Sequence, residues 1–291
     1  MKVLVTGARG QLGSDLMERL ATRGHEAVGV DVAEMDITDE RAADEVICAC
    51  RPDAVMHCAA WTAVDAAEEP ENRERVRAVN ALGTKYIAEA CAKVGCRMMY
   101  ISTDYVFSGQ GEKPWEPDCA DFAPLNWYGE TKLEGERAVS SLLSNYFIVR
   151  IAWVFGAHGR NFIRTMLKLS ETHDTLRVVD DQIGTPTYTW DLARLLVDMI
   201  ETDKYGYYHA TNEGGFISWY DFACEIFRQA GKATRVLPVS TQEYGLSRAR
   251  RPMNSRLSKA KLLEAGFVPL PDWRDALARF LKEDTIERRP F

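Results

Sequence analysis

A doubly wound parallel α/β sheet of the Rossmann type, with a smaller C-terminal lobe, is predicted by two features of the chain. Up to residue 151, short β-branched and apolar runs alternate with amphipathic stretches, and beyond about residue 155 helices dominate, separated by short strands and proline-containing loops. Strand-helix alternation builds a parallel sheet covered on both faces, because each right-handed crossover carries the chain back over the sheet.

Taken in order, strand patterns over 2–6, 26–31 and 54–59 alternate with helical patterns over 11–23, 41–50 and a long stretch over roughly 71–95. Two further strands, Arg97–Ser102 and Tyr146–Ile151, are separated by a Pro/Gly-rich loop over 108–126 and a helix near 127–143. Helical patterns then follow over 159–171, 189–202, 217–230 and 273–283. The expected division is a first lobe over 1–155, to which some later segments return, and a second lobe over 156–291. No Gly/Ser linker separates them, so a ligand cleft is expected between the two.

Composition narrows the function classes. With 291 residues and 46% hydrophobic content, the chain can bury a sizeable core. A net charge of -7 and a pI near 5.4 give no electrostatic footprint for nucleic acid or an anionic membrane. The N-terminus enters Lys2-Val3-Leu4-Val5-Thr6 without a secretory leader, and no later stretch reaches about 18 apolar residues, so a cytoplasmic protein is expected. Seven cysteines without CxxC spacing read as reduced structural thiols. Five scattered histidines with no HExxH pattern give no reason to expect a catalytic metal.

Directly after the first strand comes Thr6-Gly7-Ala8-Arg9-Gly10-Gln11-Leu12-Gly13, a GxxGxxG pattern opening a helix whose Leu12, Leu16, Met17 and Leu20 share one face. Glycines let the backbone turn tightly and approach a pyrophosphate, whose charge sits on free N–H groups at the helix N-terminus. Gly7, Arg9, Gly10, Gln11, Leu12 and Gly13 are therefore expected at a dinucleotide, NADPH or NADH. No Gly-Lys-Ser/Thr follows, which excludes a P-loop.

Asp31, at the end of the second strand and about 20 residues beyond the loop, suits a ribose 2′-hydroxyl. Arg9 could instead meet a 2′-phosphate, so the choice of cofactor stays open. Asp36 and Ile37 are expected near the adenine edge, although a helix cap by Thr38 or Asp39 explains that segment equally well. Ala59, Ala60, Trp61 and Thr62 follow the third strand, where small residues allow close passage past the cofactor. Asn80 either braces the site backbone or faces solvent.

Tyr128 and Lys132 have YxxxK spacing near the start of a helix, which puts phenol and ammonium on one face. With the upstream Ser102-Thr103-Asp104, they supply what carbonyl reduction needs. Hydride arriving at a ketone carbon leaves an alkoxide that must be protonated. Tyr128 can give that proton, Thr103 can donate to the developing oxyanion, and Lys132 is expected to lower the phenol pKa and hold the nicotinamide ribose.

Together GxxGxxG, Asp31, Ser102-Thr103-Asp104 and Tyr128-xxx-Lys132 resemble the extended short-chain dehydrogenase/reductase superfamily. Within it, Ser102-Thr103-Asp104-Tyr105-Val106-Phe107, Pro124 through Lys132, Trp153-Val154-Phe155, Asp180 through Thr187 and Arg250 through Ser255 resemble the dTDP-4-dehydrorhamnose reductases, essentially end to end. The resemblance implies a Thr103/Tyr128/Lys132 triad and a nucleotide-sugar substrate, dTDP-4-dehydro-L-rhamnose, touching Thr103, Asp104, Tyr128 and Trp153. Arg251, in the basic run Arg248-Ala249-Arg250-Arg251, is the candidate for the substrate's diphosphate; the bland alternative is a solvated face. Some relatives of this kind are metal-bridged dimers; Asp15 stands near one of the implied acidic positions without a convincing set, so no metal is expected and a homodimer stays open.

A dehydratase would need an Asp-Glu pair where this chain has Asp104-Tyr105. A nucleotide-sugar epimerase shares the Tyr/Lys pair but consumes no reduced cofactor. A non-catalytic dinucleotide-binding subunit, like the beta subunit of methionine adenosyltransferase, has no need to retain Thr103, Tyr128 and Lys132.

Overall fold

The computed structural model describes residues 1–287, with side chains through Glu283. Six strands form the central sheet: β1 (Lys2–Thr6), β2 (Glu26–Val30), β3 (Ala54–His57), β4 (Arg97–Thr103), β5 (Tyr146–Ile151) and β6 (Gly206–His209). Their order is β6-β5-β4-β3-β1-β2, and every pairing is parallel. From β1 the chain steps outward to β2 and then crosses back to β3. That reversal opens a crevice beyond the carboxyl ends of β1 and β3, where open α/β sheets bind ligands.

The main helices are α1 (Gln11–Thr22), α2 (Glu40–Cys50), α3 (Gly83–Val94), α4 (Trp127–Leu142), α5 (Phe162–Leu169), α6 (Thr189–Ile200), α7 (Trp219–Gln229) and α8 (Trp273–Glu287). Strand side chains alternate between the faces of the sheet, as the two-residue strand period requires. Val3, Val5, Met56, Met99, Phe147 and Val149 pack with Leu12, Leu16 and Leu20 of α1 and with α6. Leu4, Val55, Met98, Tyr100 and Ile148 pack with α2, α3 and Val139 of α4. Both faces are covered, so the strands read as almost continuous apolar runs.

Both α6 and β6 come from beyond residue 155 yet complete this first layer structure. A separate cluster forms where α5, α7 and α8 close around Phe155, Tyr188, Phe222, Trp273 and Phe280, while Leu262, Phe267 and Leu270 pack with the first. A parallel pair, Thr175–Val179 with Arg235–Val239, lies beside α7.

One element differs from its sequence pattern. The stretch over 71–95 is not a single helix: a 3-10 turn at Pro70–Asn72, a short helix at Arg73–Arg77 and a π turn at Ala78–Leu82 precede α3. The wider turn brings Asn80 inward, where it is 1% exposed. π turns carry one extra residue in the ring and often sit at functional sites.

Three elements are joined in the core by charge. Arg150 of β5 donates from Nε and Nη2 to the two carboxylate oxygens of Glu136 on α4, each at 2.8 Å, and Ser102 of β4 donates to the same carboxylate at 2.5 Å. Both charged side chains are 1% exposed. Arg150→Met alone strands the Glu136 charge and should cost about 3–5 kcal/mol in denaturant unfolding, whereas adding Glu136→Gln should recover most of that loss. A single-variant loss below about 1 kcal/mol would remove the pair as the tie between α4 and the sheet.

Candidate active site

The cleft begins at the carboxyl end of β1. Gly7 has a φ of +65°, and a Cβ there would stand 2.9 Å from the backbone of Ala59; one on Gly13 would stand 2.0 Å from the Gly7 carbonyl. Only hydrogen fits at these points, so the loop folds flat across the ends of β1 and β3. The N-cap of α1, Gly10, supplies no side-chain hydrogen bond, and the first turn holds no acidic residue. Its N–H groups and the helix dipole are left for an anion. A glycine cradle at an uncapped helix end, with Asp31 at the close of β2, fits the pyrophosphate and ribose of a dinucleotide.

Of the candidate catalytic, cofactor-binding and substrate-binding residues, all but Arg9 and Asn80 line one cleft of about 970 Å³. It runs from Asp31, Asp36 and Ile37, past the glycine loop and Ala59-Ala60-Trp61-Thr62, to Thr103, Asp104, Tyr128, Lys132, Trp153 and Arg251. Thr38 also lines it, while Asp39 caps α2 by accepting from Arg41 and Ala42, so the helix-cap reading of that segment holds at Asp39. Arg9 is turned elsewhere: its guanidinium donates to Glu34 at 2.5 Å. Asn80 acts at one remove. Its Oδ1 accepts the Trp61 N–H at 2.8 Å, and its Nδ2 donates to the Trp61 carbonyl and to Thr131, both at 3.2 Å.

Thr103 ends β4 and starts the turn Asp104–Val106; its hydroxyl accepts the Tyr105 N–H at 3.2 Å and donates to Asp104 at 3.1 Å. Helix α4 starts where Asn126 accepts the Gly129 N–H at 2.9 Å and Glu68 accepts the Trp127 N–H at 2.7 Å. A Cβ on Gly135 would stand 2.4 Å from the Tyr100 hydroxyl, so α4 lies hard against β4. At that separation the Lys132 Nζ donates to the Ile101 carbonyl at 2.7 Å and lies 4.0 Å from the centroid of the Tyr100 ring.

Burial pushes the Lys132 ammonium down to about 7, against the opposing charge of Glu136 one turn further along. Burial also pushes Asp104 up to about 6, opposed by hydrogen bonding with Ser255 and Thr103. The expectation that Lys132 lowers the Tyr128 phenol is not met. Burial raises that phenol above its ordinary value, Asp104 adds to the rise and Thr103 opposes it. The Lys132 ammonium donates to the Ile101 carbonyl and lies over the Tyr100 ring, with donors left over, and the phenol keeps its proton.

At the other wall, Trp153 holds a left-handed φ of 51°, a strained position for a tryptophan. It stacks on Trp219 with ring centroids 3.8 Å apart. Trp219, Phe162 and Arg160 also line the cleft; the sequence places each in a helical pattern, 159–171 or 217–230, with no site role read into it. Arg251 reaches the cleft from a tethered loop: Asp65 accepts from Nη1 and Nη2 at 3.1 and 2.7 Å and from the Arg248 and Ala249 N–H groups at 3.0 Å each. The basic run is thus neither wholly solvated nor free.

The chain matches the RmlD substrate binding domain family over residues 1–286. It belongs to that family. A dTDP-4-dehydrorhamnose reductase of Streptomyces griseus is 44% identical, with 94% of this chain and 91% of that protein covered. Among solved structures, the dTDP-4-dehydrorhamnose reductase of Clostridium acetobutylicum superposes with a TM-score of 0.93 at 41% identity, covering 97% of this chain and 99% of that one. The Bacillus anthracis reductase, solved in complex with NADP, gives a TM-score of 0.92 at 41% identity, covering 97% of this chain and all (100%) of that one. This family member is therefore an NAD(P)H-dependent oxidoreductase with a Rossmann-type fold.

Asp104 offers a test of the site's electrostatics. Its folded pKa of about 6 lies above the ordinary 3.8, so ionising it in the folded protein costs stability. That cost is absent below about pH 4, grows as pH rises and is complete above about pH 6. Asp104→Asn should therefore raise the thermal midpoint at pH 8 and leave it nearly unchanged at pH 4, read by melting curves at both. An equal change at the two pH values would contradict the assigned shift.

Proposed function

We propose that this chain reduces the 4-keto group of dTDP-4-dehydro-L-rhamnose to give dTDP-L-rhamnose, in the cytoplasm, with NADPH or NADH as reductant. What carries the reading is the convergence of Thr103, Tyr128 and Lys132 beside the glycine cradle, in a chain whose family match runs over residues 1–286.

When bound, the reduced nicotinamide supplies hydride to the sugar C4. Tyr128 supplies the proton: its phenol is held neutral, so the oxygen that becomes alkoxide at C4 takes the Tyr128 hydroxyl hydrogen. The single Thr103 hydroxyl hydrogen, which goes to Asp104 at 3.1 Å, turns to the same oxygen once the sugar is in place and stabilises charge where it develops. Lys132 holds the nicotinamide ribose and brings positive charge to the face of α4 from which the proton leaves. With a pKa near 7, it titrates close to neutral pH. Asp104 accepts the Thr103 hydroxyl hydrogen until the sugar oxygen replaces it as acceptor. Trp153, backed by Trp219, gives the sugar ring a flat apolar wall, and Arg251 faces the diphosphate. We also assign the adenosine end to Asp31, Asp36 and Ile37.

The 1–155 segment is proposed as the dinucleotide-binding lobe, joined by α6 and β6, with most of 156–291 as the substrate-binding lobe. All seven cysteines are free thiols, in keeping with a reducing compartment.

The test follows absorbance at 340 nm with purified protein, dTDP-4-dehydro-L-rhamnose and each reduced cofactor. Stoichiometric loss is expected. Binding without consumption would favour an epimerase or a regulatory dinucleotide-binding subunit instead. Tyr128→Phe should cut turnover by roughly 10²-fold or more with cofactor binding kept, and near-normal turnover would sink the proton-donor role. Lys132→Met should weaken both cofactor affinity and rate; unchanged affinity would contradict the ribose contact.

A further inference from the structure

Charged side chains meet at the carboxyl end of β2, at the far end of the cleft from Tyr128. The Asp31 carboxylate accepts the Arg9 N–H at 2.8 Å, which fixes it against the glycine loop. Glu34, within the turn that follows, folds back on the same two residues. Its Oε2 accepts the Asp31 N–H at 3.0 Å, and its Oε1 accepts from the Arg9 guanidinium at 2.5 Å. The hydrogen bonds from Asp31 and Arg9 hold the Glu34 carboxyl below its ordinary range. Arg9 is therefore already engaged, by a carboxylate that is itself anchored to the backbone.

We propose that Glu34 determines the cofactor preference: by occupying the Arg9 guanidinium, it leaves Asp31 as the group facing the adenosine ribose and selects a 2′-hydroxyl, hence NADH over NADPH. A hydroxyl can donate to the Asp31 carboxylate without disturbing anything. A 2′-phosphate brings close to two negative charges beside Asp31, and it must share the Arg9 guanidinium with Glu34, which already holds Nη2. Sharing that cation sets a second carboxylate next to the phosphate. The Arg9–Glu34 pair itself is exposed, with side chains 69% and 41% accessible, so its direct worth to folding is small. Its effect is on which cation is free when the ribose arrives. Replacing Glu34 should accordingly change cofactor choice and leave the fold intact.

The inference rests on the reductase reading only in its turnover arm, so the experiment has two arms. Dissociation constants for NAD+ and NADP+ and kcat/KM for NADH and NADPH would be measured for the native chain, Glu34→Gln, Arg9→Ala and the double variant. The native chain should favour the unphosphorylated cofactor by about 10-fold or more, a difference of about 1.4 kcal/mol. Glu34→Gln should move the ratio toward the phosphorylated cofactor by roughly fivefold or more, with the NADH value altered less than about twofold. Because Glu34 acts through Arg9, adding Glu34→Gln to Arg9→Ala should shift the ratio no further. A native preference for NADPH, an unchanged ratio in Glu34→Gln, or a shift that survives in the Arg9→Ala background would overturn the proposal. If neither cofactor is consumed but the dissociation constants follow this pattern, the reductase reading falls and the role of Glu34 stands.

Discussion

Everything at the reacting end of the cleft depends on how closely α4 lies against β4. Gly135 permits the approach, since any larger side chain would meet the Tyr100 hydroxyl. The Glu136–Arg150 pair then locks it, with Ser102 as a third member. Tyr128, Lys132 and Glu136 are spaced four residues apart, so one helical face both reaches into the cleft and grips the sheet. A helix displaced outward would break the Lys132 bond to Ile101 and the ion pair together. The geometry of the site is thus set by core packing.

The cofactor end is organised differently, by backbone instead of side chains. The switch point between β1 and β3 brings the start of α1 beside the Ala59 backbone, and Thr6 closes the gap by accepting the Ala59 N–H at 3.2 Å. His57 supports Thr6 from behind at 2.7 Å and is held neutral, pushed down to about 3 by burial and by the Lys132 charge. A neutral imidazole there leaves the anion site to the helix end. Asn80 serves the same purpose on the next segment, where the π turn lets one amide satisfy both the N–H and the carbonyl of Trp61. These are positioning groups. They fix the path of a backbone that lines the cleft.

How legible all this was in the sequence follows from what each feature depends on. Strands such as Val3–Val5 and helices such as Leu12–Leu16–Leu20 announce themselves because burial on a sheet face imposes a local period. The glycine loop and YxxxK are legible for a related reason: their chemistry needs residues close in sequence. The break in 71–95 was hidden because a π turn changes the period by a single residue. Trp219 and Glu34 were hidden because their partners, Trp153 and Arg9, are brought to them only by the fold. The Tyr128 pKa was misjudged for the same reason. Spacing puts Lys132 on the phenol's face, but tertiary contacts decide where its charge points.

One burial therefore acts in opposite senses on the two ionisable groups flanking Tyr128. It lowers Lys132 to about 7 and raises Asp104 to about 6, so near neutral pH each is close to losing its charge. An anion entering the cleft favours the charged form of Lys132 and disfavours that of Asp104, by the ordinary Coulomb effect of a nearby negative charge. Both shifts tend to add protons to the site as it fills. The low dielectric that makes these groups costly to bury also makes their charge sensitive to a nearby anion.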